Sequence, residues 1–310
     1  MNLSARTVGL VAAGLTVLIW TFFIIIARAS AAHTLLPLDI AFLRVIGASC
    51  VLIPWGWWLQ KDEAPEQRQG SLGGLSPLPL GITALAGLFG SLLYAMLAYS
   101  GFFFAPAAHA SVLMPGSLPL WTSLLAAIVL KEHLGRHRLM GLGCIVLGDL
   151  CVGGVSLLKA FDGGDVWRGD LLFMTAAFCW SVYTVLVRRH GLNAVRATIA
   201  ITVFSCLSFV PLYGVAAWMG WVPSHLAQAP WGEIAFQAIY QGVGSVVISG
   251  ITFNLMIRHY GPVRSTMITA LVPGLSALGA VVFLDEPLTA NLIAGLASVT
   301  SGIMLGVRQR

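Results

Sequence analysis

Two stretches of sequence decide the fold: residues 130–148, LKEHLGRHRLMGLGCIVLG, and residues 284–302, LDEPLTANLIAGLASVTSG. Each begins with a short polar segment that carries a glutamate, and each continues as a glycine-rich apolar run. The matching residues are Glu132, Leu134, Gly141, Leu142 and Gly148 in the first stretch and Glu286, Leu288, Gly295, Leu296 and Gly302 in the second, always 154 positions apart. This spacing indicates an internal repeat.

The repeat extends outward from these stretches in the same order along the chain. Further matches pair Gly9, Trp20, Arg28 and Pro115 with Gly169, Trp180, Arg188 and Pro273. Chance matching of common apolar residues is the alternative, but tryptophan and glutamate are rare in this chain. We therefore predict two repeated halves, residues 1–158 and residues 159–310.

Composition places both halves in a membrane. Hydrophobic residues make up 58% of the chain and charged residues 9%, against about 45–50% and about 25% in soluble proteins. So few charges cannot cover a soluble fold of 310 residues, which excludes a soluble enzyme, a disordered protein and a nucleic-acid binder. Membrane lipid is an expected partner, and nucleic acid is not.

The apolar runs are continuous rather than alternating, which favours membrane helices over a β-barrel. A helix needs about 20 apolar residues to cross the bilayer core, and the sequence predicts ten such helices. They cover residues 8–27, 38–60, 77–99, 105–130, 138–158, 169–187, 197–219, 233–257, 262–284 and 288–307. Five helices in each half is an odd number, so the second half enters from the opposite side. Such inverted repeats are typical of secondary transporters that work by alternating access.

The basic residues orient the predicted bundle. With a cytoplasmic N-terminus, thirteen lysines and arginines fall in cytoplasmic segments, three fall on the opposite side, and Arg44 lies within a span. Cytoplasmic loops of membrane proteins carry such an excess. We therefore predict an all-α membrane protein with both termini cytoplasmic. Fourteen of the seventeen basic residues are arginine, and this bias, typical of GC-rich genomes, favours a bacterial cytoplasmic membrane.

The ordered set of landmarks resembles a known family. Trp20, Arg44 and the Pro115 and Pro273 helices, followed by Glu132 and Glu286 and their glycine-rich helices, resemble the EamA-type ten-helix transporters of the drug/metabolite transporter superfamily. The resemblance covers nearly the whole chain. It implies a central cavity lined mainly by helices 1, 3, 4, 6, 8 and 9, and export of amino acids or other small metabolites. The abundance of aromatic residues is similar to that of bacterial aromatic amino-acid exporters.

Six residues are the predicted substrate site. They are Trp20, Tyr94, Tyr99, His109, Trp180 and Asn254. The two tryptophans are repeat partners, so they form either two aromatic walls or interhelical packing. The tyrosine hydroxyls need partners in an apolar bundle, and a wet cavity provides them. An imidazole at His109 either binds a carboxylate or relays a proton, or is held by a structural hydrogen bond.

Pro115 and Pro273 predict helix kinks. Neither proline can donate to the carbonyl four residues earlier, at Ser111 and at Thr269. The freed carbonyls either accept a substrate ammonium group, or accompany bending during transport, or belong to plain packing kinks.

Other polar residues within predicted spans leave their roles open. Arg44 either reaches outward toward Asp39 or water or contacts the substrate. Asp149 either couples transport to protons or is a paired or protonated structural residue. Gln241 and Ser245 either line the pathway with Asn254 or form interhelical hydrogen bonds.

Missing motifs narrow the function. The chain has no nucleotide-binding phosphate loop, no H-E-x-x-H and no G-x-S-x-G, so we expect a transporter of a small molecule rather than an enzyme. Neither a cofactor nor a metal is expected, because the five cysteines lie inside predicted spans without metal spacing. The alternatives are an intramembrane enzyme without a standard motif, a channel, and a multidrug or cation exporter of the same fold. Gly302 and Gly306 indicate either helix packing within the chain or a homodimer contact.

Overall fold

The computed structural model describes residues 5–61 and 70–307, and helices make up nearly all of these ranges. They are α1 (Ala5–Ser30), α2 (Pro37–Lys61), α3 (Leu80–Phe104), α4 (Ala107–Val129), α5 (Arg136–Asp162), α6 (Val166–Arg189), α7 (Ala194–Trp218), α8 (Trp231–Met256), α9 (Leu271–Leu284) and α10 (Ala290–Val307). Helical structure continues beyond α8 to Thr269, and a short 3-10 turn covers Leu72–Gly74. No strand forms within the described ranges, where the one β-like contact is a bridge between Ser71 and Ser76.

Eight of these helices, α1 to α8, are long and apolar enough to cross a membrane. The chain is therefore a multi-pass helical membrane protein, as the composition predicts. α9 and α10 are apolar but shorter. The 14 residues of α9 rise only about 21 Å, less than the ~30 Å of the hydrocarbon core. α9 starts at Leu271, nine residues after the start of the predicted segment 262–284.

Contacts along α1 fix the direction of α8. Gln237 Nε2 donates to Ser30 Oγ at 2.6 Å, and Thr16 Oγ1 donates to Thr252 Oγ1 at 2.9 Å. Because the residue numbers fall along α1 while they rise along the second helix, α8 runs antiparallel to α1.

α9 runs back in the other direction. Ile25 packs against Gly279, and Arg28, close to the C-terminus of α1, pairs with Glu286 beyond the end of α9. α9 is therefore parallel to α1, and the chain reverses between α8 and α9.

The two ends of the bundle can be named by their glutamates. The Glu286 end holds Arg28, Glu286 and the N-terminus of α4 at Ala107, which contact one another. The Glu132 end lies at the far end of α4 and holds Glu132 with Arg188. Since α1 reaches the Glu286 end at its C-terminus, α1 begins at the Glu132 end.

Glycines let α5 and α10 pack at backbone distance. A Cβ atom added to Gly141 would lie 2.5 Å from the Gly302 carbonyl oxygen, and one added to Gly302 would lie 2.5 Å from that of Gly141. Gly302 of the predicted GxxxG pair is therefore in contact within the chain. Because Gly141 also meets Gly306, α10 ends near the start of α5, at the Glu132 end.

The main apolar core includes buried side chains of α1, α3, α4 and α6. Tyr99, Phe102 and Phe173 are among its largest fully buried side chains, and the rings of Phe102 and Phe173 meet at a centroid distance of 4.8 Å. Large apolar side chains elsewhere remain exposed, among them Phe161 and Trp218. Those outer side chains suit a lipid surrounding.

Candidate functional site

Helices α4 and α9 end with the same backbone geometry. Lys131 has φ 56° and Asp285 has φ 53°, so both residues occupy the left-handed region. In each case the following glutamate donates its N–H to the carbonyl oxygen six residues earlier, at 3.4 Å for Glu132 and 3.2 Å for Glu286. In both helices this bond reaches back past the left-handed residue and satisfies a carbonyl of the last helical turn. The two carboxylates therefore leave equivalent points of equivalent helices.

Glu286 joins three segments at its end of the bundle. Its Oε1 and Oε2 accept hydrogen bonds from the backbone N–H groups of Ala107 and Ala108, both at 3.0 Å. Arg28 Nε donates to Oε1 at 3.2 Å, and Arg28 Nη1 donates to the Phe102 carbonyl at 2.6 Å. A carboxylate at a helix N-terminus is favoured by the free N–H groups and the helix dipole. Glu286 thus fastens α4 to α1 and to the end of α9.

Glu132 makes a looser arrangement at the opposite end. Arg188 Nη2 donates to its Oε1, and Arg138 Nη1 lies 3.5 Å from Oε2. The side chain of Glu132 is 30% exposed, against 11% for Glu286.

The two ion pairs are related by the sequence repeat. Arg28 corresponds to Arg188, and Glu286 corresponds to Glu132. Each pair joins an arginine of one half to a glutamate of the other half, and the pairs lie at opposite ends of the bundle. Both glutamates and both arginines are visible as repeat markers in the sequence, but their pairing is found only in the structure.

Two of the six predicted site residues form an aromatic contact between α3 and α6. The ring centroids of Tyr94 and Trp180 are 4.8 Å apart, and Trp180 also meets Tyr183 at 5.3 Å. Tyr94 and Trp180 are both partly buried.

Trp20 and Asn254 lie on a different pair of helices. Trp20 of α1 meets Phe253 of α8 at a centroid distance of 5.1 Å. Asn254 donates from Nδ2 to the Gly250 carbonyl of its own helix at 2.6 Å. Among the described rings, Trp20 and Trp180 make no contact with each other.

Tyr99 belongs to a buried polar cluster. Its hydroxyl donates to Gln241 Oε1 at 3.1 Å and lies 3.4 Å from Arg44 Nη1. Arg44 Nη1 also donates to Ser245 Oγ at 3.1 Å. This cluster of Arg44, Tyr99, Gln241 and Ser245, hereafter the Arg44 cluster, joins α2, α3 and α8.

His109 contacts a carboxylate that sequence reasoning missed. Its Nδ1 lies 2.9 Å from Asp170 Oδ1, and Ser156 donates to the other oxygen of Asp170. Asp170 is 3% exposed. Asp170 is the fifth residue of α6 and lies next to residue 169, where the predicted span begins. A charged residue at the start of a span indicates a position at the membrane–water interface. Asp170 lies on helix 6, one of the helices predicted to line the cavity, and this position is the sequence feature that could have identified it.

The two prolines have different surroundings. Pro115 lies in a π-helical stretch of α4, Val112–Gly116, so the widened turn coincides with the missing N–H. Pro273 is the third residue of α9, where a helix has no intrahelical partner for an N–H in any case. Just past Pro115, Ser117 Oγ donates to Asp149 Oδ2 at 2.8 Å, while Asp149 Oδ1 has no hydrogen-bond partner among the described residues.

Comparison with known proteins adds family relationships to this geometry. The model of the EamA-like transporter family matches the chain twice, over residues 7–153 and 167–308. A protein of Salmonella typhimurium described as a probable amino-acid metabolite efflux pump is 22% identical over 298 residues, which cover 94% of this chain and 92% of that protein. The uncharacterized transporter YyaM of Bacillus subtilis is 26% identical over 198 residues, 62% of this chain. The match spans 61% of the length of YyaM.

A solved crystal structure has a similar fold. It covers 99% of both chains with a TM-score of 0.59 and 22% sequence identity. At this level of sequence identity, the similarity to the solved structure concerns the fold alone.

Proposed function

Since the chain belongs to the EamA-like transporter family, we propose that it is a secondary active transporter that exports small metabolites by alternating access. Amino acids are the first substrate class, with aromatic and hydrophobic members favoured. The amino-acid class is supported by the Salmonella typhimurium protein, whose description names amino-acid metabolite efflux. The aromatic preference is supported by the Tyr94–Trp180 contact on two predicted cavity helices.

The proposed architecture has ten membrane crossings in two inverted halves, residues 1–158 and 159–310. The reversal of direction between α8 and α9 supports separate crossings for these two helices. The start of α1 and the end of α10 lie at the same end of the bundle, which an even number of crossings requires. The thirteen-to-three distribution of basic residues supports a cytoplasmic location of this Glu132 end in a bacterial cell.

One observation carries the mechanism: equivalent arginine–glutamate pairs connect the two halves at opposite ends of the bundle. Alternating access requires that each end open while the other is closed. In an inverted repeat, the two closures are built from equivalent residues. Arg28–Glu286 and Arg188–Glu132 fit this requirement.

The two ion pairs differ in the number of hydrogen bonds that the glutamate accepts and in the exposure of its side chain. Glu286 has two additional backbone N–H donors at 3.0 Å, and its side chain is less exposed than that of Glu132. Both pairs are formed in this structure, and the Glu286 end has the more extensive set of hydrogen bonds.

Substrate counterflow with purified protein in proteoliposomes tests the proposal. Vesicles are loaded with one unlabelled compound at a time, and uptake of the labelled compound is followed. The set contains phenylalanine, tryptophan, leucine, glutamate and a cationic drug. We expect transient accumulation of aromatic or hydrophobic amino acids above that of protein-free vesicles. Accumulation of the cationic drug alone would favour a multidrug exporter, and no accumulation of any compound would contradict the proposed transport function.

A further inference from the structure

A buried arginine lies in the membrane-spanning part of the molecule, and no acidic partner for it is found among the described residues. Arg44 is 7% exposed. It is the eighth residue of α2, which places it about 10 Å along the helix from Pro37. No carboxylate among the described residues lies within 4.0 Å of its guanidinium group, although five other ion pairs meet that limit.

The contacts of Arg44 leave much of its guanidinium free. Nη1 is directed at three neutral oxygen atoms: Ser245 Oγ at 3.1 Å, Tyr99 Oη at 3.4 Å and the Gln241 carbonyl at 3.5 Å. No hydrogen bond from Nε or Nη2 is found in the described part of the chain. A guanidinium has five N–H donors, so most of them lack an acceptor.

Gln241 provides a second unpaired donor in the same cluster. The residue is completely buried, and its Oε1 accepts the hydrogen bond from the Tyr99 hydroxyl at 3.1 Å. Its Nε2 has no hydrogen-bond partner among the described residues. Buried polar atoms are normally paired, so the unpaired Nε2 of Gln241, in a cluster whose guanidinium also has unused donors, indicates a missing acceptor.

Asp39, the nearest acidic residue of the same helix, does not supply that acceptor. Asp39 is fully buried, and its Oδ1 accepts from the hydroxyls of Tyr213 and Ser224, both at 2.6 Å. Its Oδ2 accepts from the backbone N–H groups of Leu36 and His225, both at 3.0 Å. This carboxylate is fully engaged at the end of α2.

We propose that Arg44 and Gln241 bind the carboxylate of a substrate, an inference that rests on the proposed transport function and narrows its substrate class. A planar guanidinium matches the two oxygens of a carboxylate. The amide Nε2 of Gln241 adds a neutral donor that is free because Tyr99 occupies the other end of the amide. The arginine supplies the positive charge, and the ligand supplies the negative charge that the protein lacks here.

Aromatic rings next to the cluster suit the remainder of such a ligand. Arg44 lies over the ring of Phe23, with 5.8 Å from Cζ to the ring centroid, and the rings of Phe23 and Tyr99 are 6.0 Å apart. A ligand with a carboxylate and an apolar or aromatic side chain satisfies both surfaces. A cation without a carboxylate would meet the unpaired charge of Arg44 and would be repelled.

Ligand binding to purified protein tests this inference separately from transport. Three probes share a phenyl ring: phenylalanine, phenylpropionate, which lacks the ammonium group, and phenethylamine, which lacks the carboxylate. We expect the wild type to bind both carboxylates at least about tenfold more tightly than phenethylamine, as removal of a charge-assisted contact generally causes. Equal affinity for all three probes would overturn the inference.

Variants test whether Arg44 and Gln241 are the residues that bind the carboxylate. Arg44→Gln should lower the affinity for both carboxylates by about tenfold or more and raise the affinity for phenethylamine, whose ammonium group Arg44 repels, while Arg44→Lys should retain part of the carboxylate affinity. Gln241→Glu places a carboxylate inside the protein beside Arg44, so it should also abolish carboxylate binding. Arg168→Gln is the matched control, because Arg168 is half-exposed and pairs with Asp165 at the surface.

The outcomes distinguish a failure of the carboxylate site from a failure of the proposed transport function. Size-exclusion profiles and melting temperatures verify that each variant is folded. Carboxylate binding that is unchanged in folded Arg44→Gln or Gln241→Glu protein would overturn the site. Carboxylate binding that depends on Arg44, in a protein that moves no compound in counterflow, would support the site and contradict the transport function.

Discussion

At the scale of single residues, Glu132 and Glu286 show how one repeated position acquires two environments. Both follow a left-handed residue at the end of a helix. Only Glu286 reaches the N-terminus of another helix, where Ala107 and Ala108 present free N–H groups. The difference between the ends of the bundle therefore lies in what surrounds each carboxylate.

Replacement of each glutamate by glutamine should affect stability unequally. Glu286→Gln removes the charge that accepts three hydrogen bonds, and hydrogen bonds to charged groups contribute about 1.5–3 kcal/mol each. Glu132→Gln weakens more exposed ion pairs, which contribute less than about 1 kcal/mol. Thermal unfolding in detergent should show the larger loss for Glu286→Gln. An equal or larger loss for Glu132→Gln would contradict the described closure.

Trp180 provides a residue-scale test of the aromatic contact. Trp180→Ala removes a ring that meets Tyr94 and Tyr183 and that we expect to contact the substrate. Aromatic contacts contribute about 0.5–1.5 kcal/mol, so the half-saturating concentration of an aromatic substrate should rise about two- to tenfold. Trp218→Ala is the control, since Trp218 is 86% exposed. Equal transport kinetics for both variants would exclude Trp180 from the site.

Sequence reasoning singled out individual polar residues but not the contacts between them. It singled out Tyr99, Gln241 and Ser245 separately, and considered Asp39 as a partner of Arg44. The structure brings the first three to Arg44 and engages Asp39 elsewhere. Hydropathy gives the depth of a residue in the membrane, but the side chains that meet across helices depend on helix rotation, which one sequence does not specify.

At the scale of helices, the left-handed residues Lys131 and Asp285 carry backbone strain. Glycine is the usual residue at this position of a helix C-terminus, and a side chain there costs about 1 kcal/mol. Both side chains are exposed, so their removal breaks no buried contact.

Glycine at either position should therefore stabilise the protein. We expect Lys131→Gly and Asp285→Gly each to raise the free energy of unfolding by about 1 kcal/mol. Lys131→Ala is the control, because it removes the long side chain but keeps the Cβ atom. A decrease in melting temperature for both glycine variants would contradict the assigned backbone conformation.

The contact between α5 and α10 makes a second element-scale prediction. Gly302→Ala would place a Cβ 2.5 Å from the Gly141 carbonyl oxygen, so the helices must separate, at a cost of about 1–3 kcal/mol. Gly143→Ala lies on the same helix pair but meets no atom within 4 Å, and alanine there should be neutral or stabilising by up to about 1 kcal/mol. The melting temperatures of the two variants check this order, and a reversed order would contradict the packing.

π-helical stretches are the element-scale feature that the sequence did not predict. They occupy Leu88–Leu93 in α3, Val112–Gly116 in α4, Leu150–Gly154 in α5 and Ala238–Ile248 in α8. Gln241 and Ser245 lie in the last of these, and such widened turns are frequent at functional sites. Only the stretch in α4 contains a proline, so the others have no local marker in the sequence.

At the scale of the whole molecule, composition and continuous apolar runs predicted the helical membrane class, and the resemblance of the landmark residues predicted the family; both are confirmed. Apolar runs define helices because the bilayer leaves no other partner for the backbone. Ten crossings remain a proposal, since eight helices have the full length and α9 begins later than its hydropathy indicated. Helix boundaries depend on local turns that hydropathy averages over.

The central claim is that the two ends of the bundle open alternately, held closed by equivalent ion pairs. Its most direct test introduces Tyr94→Cys into a variant whose five native cysteines have been replaced. A membrane-impermeant maleimide is added to one face or the other of oriented vesicles. Glu286→Gln should increase labelling from the face at the Glu286 end and decrease it from the opposite face, while Glu132→Gln should have the reverse effect. Changes on the same face in both variants, or no change in either, would contradict alternating access through these two ends.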